Sequence, residues 1–236
     1  MGAMLAIWRR EFRSYFNSPV AYFVITVFLA LVGIMFFIPF FAQDRVSMRS
    51  FFSLVPFLFV FFAPAVTMRL IAEERRSGTL EMLITMPVRD VDVILGKYAA
   101  ALSLLVVALL LTLPYAITIS FFGSLDWGPV WGGYLGLLFM GAAFVAIGLM
   151  ASSWTENQIV AFMVALFISM MFLMVDRFIV FLPNSLAPWG EYLSFTSHFS
   201  NAARGMIDSR DVIFFLSFVL LCLFLAFRSL ESRRWR

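Results

Sequence analysis

Six stretches of the chain, residues 20–41, 51–68, 98–125, 127–155, 157–175 and 212–227, contain no Asp, Glu, Lys, Arg or His. A helix that crosses a bilayer needs roughly 20 mainly apolar residues, with about 17 to 25 as the usual range. Each stretch therefore reads as one crossing. The second, fifth and sixth borrow residues from their flanks, the fifth by running past Asp176 and Arg177. One such run is explained by a buried helix of a soluble protein, but six in 236 residues leave almost no material for a polar exterior. Only 13% of the residues are charged against 63% hydrophobic, where an ordinary soluble chain is about one quarter charged. The expected fold class is an all-α polytopic membrane protein with six transmembrane helices, a single domain over 1–236 without a detachable soluble catalytic unit.

The first run follows Trp8, Arg9, Arg10, Glu11, Phe12, Arg13, Ser14, Tyr15 and Phe16. It is longer than a signal-peptide core and lacks a clear small-residue cleavage site, so it is expected to stay as an anchor. Arg9, Arg10 and Arg13 with Trp8, Tyr15 and Phe16 suit a short interfacial helix, with rings at headgroup depth and guanidinium groups on anionic lipid. A basic flank that only sets topology would use the same residues. With the N terminus inside, 12 of the 17 Lys and Arg fall on the inner side and 5, namely Arg45, Arg49, Arg177, Arg204 and Arg210, on the outer. The bias predicts both termini in the cytoplasm.

Several chemistries are excluded by what the chain lacks. One cysteine, Cys222, and one histidine, His198, remove disulfide frameworks and metal motifs that need two of either. His198 is read as a structural or loop residue without an acidic partner, and the nearby Ser194, Ser197 and Ser200 do not make a hydrolytic triad. The basic residues are few and separated by apolar runs, so no nucleic-acid partner is expected despite a net charge of +3. Neither a catalytic nor a metal-binding residue is assigned. Gly132, Gly133, Gly136, Gly141 and Gly148 give the fourth span small surfaces for close helix packing, within the chain in preference to between chains. Asp176 and Arg177 sit at the outer boundary of the fifth span, as interface anchors or, if buried, as pathway residues. Between 178 and 211, Pro183, Pro188, Gly190 and Gly205 break helical continuity, so a re-entrant or interfacial piece competes there with an ordinary loop.

Ten of the 31 charged residues fall between Arg69 and Lys97. Glu73, Glu74, Arg75 and Arg76 extend the second helix into water, Ser77-Gly78 offers a turn, and Thr79 caps a short helix over 80–84. Pro87 separates that helix from the next, whose N-cap is expected at Asp90. The result is a compact hairpin suited to receiving force from another protein, although a solvated charge run with ordinary topology signals is the plainer alternative.

The run Ala72-Glu73-Glu74-Arg75-Arg76-Ser77-Gly78-Thr79-Leu80-Glu81, followed by Pro87 and Gly96-Lys97, resembles the signature of ABC exporter permeases of the second membrane-domain class. The opening segment Arg10-Glu11-Phe12-Arg13-Ser14-Tyr15-Phe16-Asn17-Ser18-Pro19 is similar to that of the gliding-motility permease subgroup. The resemblance implies an interfacial elbow helix over 5–18, a coupling helix within 73–90 and an outer helical element over 185–205. It implies an exporter subunit of a bacterial or archaeal cytoplasmic membrane that works with a second permease copy or paralogue, with accessory proteins in some members. No Gly-x-x-x-x-Gly-Lys-Ser/Thr loop is present, and Gly96-Lys97-Tyr98 lacks its spacing and its hydroxyl, so Lys97 reads as a positive residue at the membrane boundary. ATP and Mg2+ are accordingly expected in two separate cytoplasmic ATPase subunits. Glu73, Glu74, Arg75, Gly78, Glu81, Pro87, Arg89 and Asp90 are the expected coupling residues. A non-transporting membrane-assembly or mechanotransmission subunit is the alternative. An intramembrane enzyme is the third reading, and it lacks a polar constellation to carry it.

Overall fold

The computed structural model describes residues 2–43, 47–79, 89–179 and 187–232. Eleven helices account for most of them: α1 (Gly2–Asn17), α2 (Pro19–Gln43), α3 (Arg49–Thr67), α4 (Ala72–Arg76), α5 (Asp90–Leu110), α6 (Leu113–Ser120), α7 (Trp127–Trp154), α8 (Gln158–Phe178), α9 (Ala187–Leu193), α10 (Phe195–Ala203) and α11 (Ser209–Glu231). Six segments are long and apolar enough to cross a membrane: α2, α3 continuing into α4, α5 continuing into α6, α7, α8 and α11. The fold is thus an all-α, six-span membrane bundle. One end carries α1 and the last turn of α11 and is called proximal below; the other end is distal.

Local chemistry sets where these helices begin and end. Asp126 accepts from the Gly128 amide at 3.1 Å to start α7, and Asn157 accepts from Ile159 at 2.9 Å to start α8. Ser194 and Asp208 do the same for α10 and α11, each side-chain oxygen satisfying a donor that the first helical turn leaves open. Pro114 stands at the start of α6, where its missing amide and fixed φ separate that helix from α5. Gly78 takes φ 71°, a left-handed conformation that closes the turn after α4 at the predicted Ser77-Gly78 position. The N-cap expected at Asp90 is displaced by one residue: Arg89 holds the cap position without a side-chain bond, and Asp90 and Asp92 lie in the first turn of α5. There their charge favours the positive end of the helix dipole. The helix expected over 80–84 lies outside the described residues, as do Glu81 and Pro87.

The fourth span organises the bundle. In α7, 78% of the core window is buried, against 17% in α8 and 22% in α2, so α8 and α2 present most of their apolar surface outward. Small residues allow the close contacts. A Cβ added at Gly148 would overlap Thr67 Oγ1 on α3, and one at Gly133 would enter the Phe52 ring. The glycines of the fourth span therefore serve packing within the chain.

Residues 187–193 and 195–203 of the expected outer element form α9 and α10, with 185 and 186 outside the described residues. The α10 helix runs antiparallel to α7. The Phe195 ring meets Phe144 at 5.4 Å between centroids, whereas Ala202 rests on Gly132 and Gly136. Phe144 lies twelve residues beyond Gly132, about 18 Å along a helix at 1.5 Å per residue. The start of α10 consequently lies inside the bundle, and its end reaches the distal rim.

Candidate coupling site at the proximal end

Ile7, Glu11 and Tyr15 recur every four residues and share one face of α1. That face lies across α5, and Gly96 permits the approach: a Cβ there would come within 2.8 Å of Ile7 Cγ2 and 3.1 Å of the Met4 carbonyl. Trp8 Nε1 donates to Ser103 Oγ at 3.0 Å, and Tyr15 donates its hydroxyl to the Val66 carbonyl at 3.0 Å under the Arg69 guanidinium. Burial keeps the Tyr15 phenol protonated well above its ordinary range, with Arg69 opposing weakly. Arg9 and Arg13 stay exposed and Phe16 is half-buried. The elbow residues therefore divide between a docked face and a basic outer face.

Docking α1 delivers Glu11 to Lys97. The ammonium of Lys97 is 1% exposed and lies 2.7 Å from Glu74 Oε1 and 3.2 Å from Glu11 Oε1. Arg10 Nη2 completes the cluster at 3.0 Å from Glu11 and 3.4 Å from Glu74. Two carboxylates thus face two cations, and the removal of Lys97 from water is compensated on both sides. Burial alone would raise the Glu11 pKa, but the charge of Lys97 and hydrogen bonds from Arg10 and Lys97 outweigh it and hold the carboxyl below its ordinary value. Lys97, expected at the membrane boundary, is instead an interior residue that joins α1, α4 and α5.

The neighbouring Arg75 has different partners. Its side chain is 3% exposed, donates to the Ser153 carbonyl and lies 3.6 Å from Glu156 Oε1. Ser229 on α11 donates to the same carbonyl at 2.9 Å. Ser152 Oγ accepts from the Ile71 and Ala72 amides, each at 3.1 Å, and donates to Met68 O at 3.0 Å. It thereby supplies partners for groups released where the α3 helix turns into α4. Glu74 and Arg75, adjacent in sequence, therefore fasten α4 to different elements: Glu74 to α1 and α5, and Arg75 to the end of α7, whose Ser153 carbonyl also takes the bond from Ser229 of α11. Glu74 Oε2 and Arg75 Nε are buried without a hydrogen bond among the described residues.

The other predicted coupling residues that are described sit around this cluster. Glu73, Arg76, Gly78 and Arg89 are exposed, and Asp90 is half-buried at the start of α5. Asp176 and Arg177 are at the distal end, 3.9 Å apart at their nearest atoms. His198 keeps a structural role, but the expectation that it lacks an acidic partner requires correction. Its Nδ1 lies 2.6 Å from Asp211 Oδ1, its Nε2 lies 3.0 Å from the Tyr192 carbonyl, and its ring stacks on Phe214. Asn201 donates to the second Asp211 oxygen at 3.2 Å. His198 thus has an acidic partner, thirteen residues downstream on α11, where it pins α10 without a nucleophile beside it. Among the described residues no group of three or more His, Cys, Asp or Glu could hold a metal ion.

The profile of the ABC-2 family transporter protein matches residues 38–228, most of the chain and all the spans after α2. The chain belongs to the ABC-2 transporter family. The match includes Glu74, Arg75, Lys97 and Ser152 and identifies a membrane permease domain of a family whose members work with ATPase subunits. It begins after Arg10 to Pro19, on which the gliding-motility likeness rests. No curated protein matches the chain.

Proposed function

We infer that this ABC-2 permease forms the membrane pathway of an exporter and converts nucleotide-driven closure of two cytoplasmic ATPase subunits into helix movement. The observation that carries the reading is the separate fastening of Glu74 and Arg75, immediately before residues 80–88. A push delivered to that segment would reach α1 and α5 through Glu74 and the end of α7 through Arg75, with α11 tied to the same point by Ser229, so the elements shift together as packed bodies. The family context and the basic residues of α1 and the 69–97 segment support placing this end, with both termini, on the cytoplasmic side of a bacterial or archaeal inner membrane. ATP and Mg2+ would be held by the ATPase pair. A second permease copy or paralogue would complete the pathway, and the outward faces of α2 and α8 offer it apolar surface. The inward start of α10, where Phe195 packs on Phe144, supports a re-entrant role for that helix. Likeness in the opening segment is the support for a gliding-motility relative.

Reconstitution with the cognate ATPase tests this function. The expected result is a stable complex whose ATP hydrolysis drives vectorial cargo movement in proteoliposomes. A complex that hydrolyses ATP but moves nothing across a broad cargo set would support the assembly or mechanotransmission reading instead.

A further inference from the structure

The imidazole of His198 stands where α9, α10 and α11 meet, with its side chain 11% exposed, and both ring nitrogens face acceptors. Nδ1 lies 2.6 Å from Asp211 Oδ1 on α11, and Nε2 lies 3.0 Å from the Tyr192 carbonyl oxygen on α9. A carbonyl oxygen has no proton to give, so the Nε2 contact needs a hydrogen on the ring. A carboxylate oxygen at 2.6 Å needs a proton between it and Nδ1. Asn201 donates to the other Asp211 oxygen, which leaves that carboxylate accepting on both sides. The pair therefore holds one proton more than a neutral imidazole beside an ionised carboxylate. That proton makes the ring an imidazolium, and it lies nearly parallel to Phe214 at 4.1 Å between centroids, where a ring face favours positive charge.

Among the described residues no second charge competes for the ring: Asp211 is the only ionisable side chain in a hydrogen bond or ion pair with His198. From α9 the Tyr192 ring stands edge-on at 5.8 Å between centroids, and α11 adds Phe215. The neighbours α7 and α8 meet α10 through Phe144 and Phe172 on Phe195, and through the Leu173 carbonyl, which accepts from Thr196. The charged groups elsewhere on these elements look to water or to one another. Glu191 of α9, Arg204 after α10, Asp208 and Arg210 at the start of α11, Asp126 before α7 and Arg177 of α8 are exposed, and Asp176 lies beside Arg177.

We propose that His198 and Asp211 form a proton-binding site that fastens α9 to α10 and α11. Without the extra proton the ring has one N–H for two acceptors. The carboxylate keeps it, because a hydrogen bond to a charged acceptor is roughly twice as strong as a neutral one, and Nε2 then turns a lone pair toward the Tyr192 carbonyl. That repulsion releases the end of α9 from the imidazole. Ser197, which donates to the Glu191 carbonyl at 2.7 Å, is left as a side-chain tie between the two helices. The clasped form binds one proton more than the released form, so it is favoured as pH falls and lost as pH rises through the imidazolium titration. The site stands apart from the export reading, which would add only the side of the membrane from which the proton comes.

His198 is the sole histidine of the chain, so isotopic labelling of histidine nitrogen, without a polyhistidine tag, reports one imidazole by magnetic resonance. The full chain in phosphatidylcholine nanodiscs would be titrated from about pH 5 to about pH 9, either side of the range in which histidine changes charge. Two protonated ring nitrogens are expected at the acid end, and a neutral ring protonated at Nδ1 at the alkaline end. Asp211→Asn should move that transition to lower pH, since it removes the opposite charge that favours the imidazolium. Spin labels on Glu191→Cys of α9 and Ile213→Cys of α11, both exposed, follow the clasp, while Cys222 is buried. Their distance distribution should stay narrow while the ring is an imidazolium and broaden across the same transition. His198→Gln, which does not titrate, should abolish that pH dependence. One protonation state throughout the range, an unchanged distribution across the transition, or the same broadening in His198→Gln would overturn the proposal. Neither ATPase nor nucleotide is present, so a negative result removes this site and leaves the coupling reading standing.

Discussion

Lys97→Met is expected to lower the unfolding free energy by about 3–5 kcal/mol, the usual cost of removing one partner from a buried ion pair. The substitution leaves Glu11 and Glu74, only 15% and 18% exposed, facing each other with Arg10 as their remaining cation. Reversible unfolding of the purified protein in sodium dodecyl sulfate measures the loss. The triple variant Lys97→Met, Glu11→Gln, Glu74→Gln should recover most of it, because the damage lies in uncompensated charge and not in lost volume. The pH dependence has a defined sign. Glu11 is lowered from an ordinary value of 4.5, so its stabilising contribution is complete above that pH and drains away as pH falls through the lowered folded-state value. Lys97→Met removes the main attraction that lowers this pKa and should flatten that acid limb. A single variant within 1 kcal/mol of wild type, or a triple variant no better than the single, would contradict the interior ion pair.

Gly132→Ala should be clearly more damaging than Gly141→Ala on the same helix. The new Cβ would come within 2.5 Å of the Ala202 carbonyl oxygen and 2.9 Å of Gly205 Cα, both backbone atoms that have no rotamer to escape into. The expected cost is about 1–3 kcal/mol in the same unfolding titration, the range for forcing volume into a filled interior. Gly141→Ala meets the flexible end of Leu105 and should cost less, while Gly2→Ala meets nothing within 4 Å and should be silent or mildly stabilising. Equal effects at all three positions would refute the close seating of α10 on α7.

The spans were legible because uncharged length alone requires a bilayer, and the turn at Gly78 because a Ser-Gly pair after a charged helix end has few other uses. The junction of spans with polar groups was not. Glu74 finds Lys97 23 residues away and Arg10 64 residues away, separations that carry no local period. Lys97 looked like a boundary residue because a lysine just before an apolar run normally reaches for headgroups; what withdraws it is the crossing of α1, for which Gly96 was the available sign. Ser152 and Ser153 stand at the end of an uncharged run, and their service to α4 and α11 appears only once those helices converge. Asp211 escaped pairing with His198 because the Gly205 turn, φ 85°, folds the chain back between them.

The central proposal, that Glu74 passes movement of the proximal segment into the bundle through α1 and α5, is tested most directly by distance. Spin labels on Ser47→Cys and Met206→Cys, both exposed at the distal end, would be measured in the complex with the cognate ATPase, with and without ATP and vanadate. Nucleotide should shift the distance distribution in the wild-type background, leave it fixed with Glu74→Lys although the complex still forms, and shift it again when Lys97→Glu is added to restore one cation between two carboxylates. An unaltered shift in the Glu74→Lys protein would contradict the account.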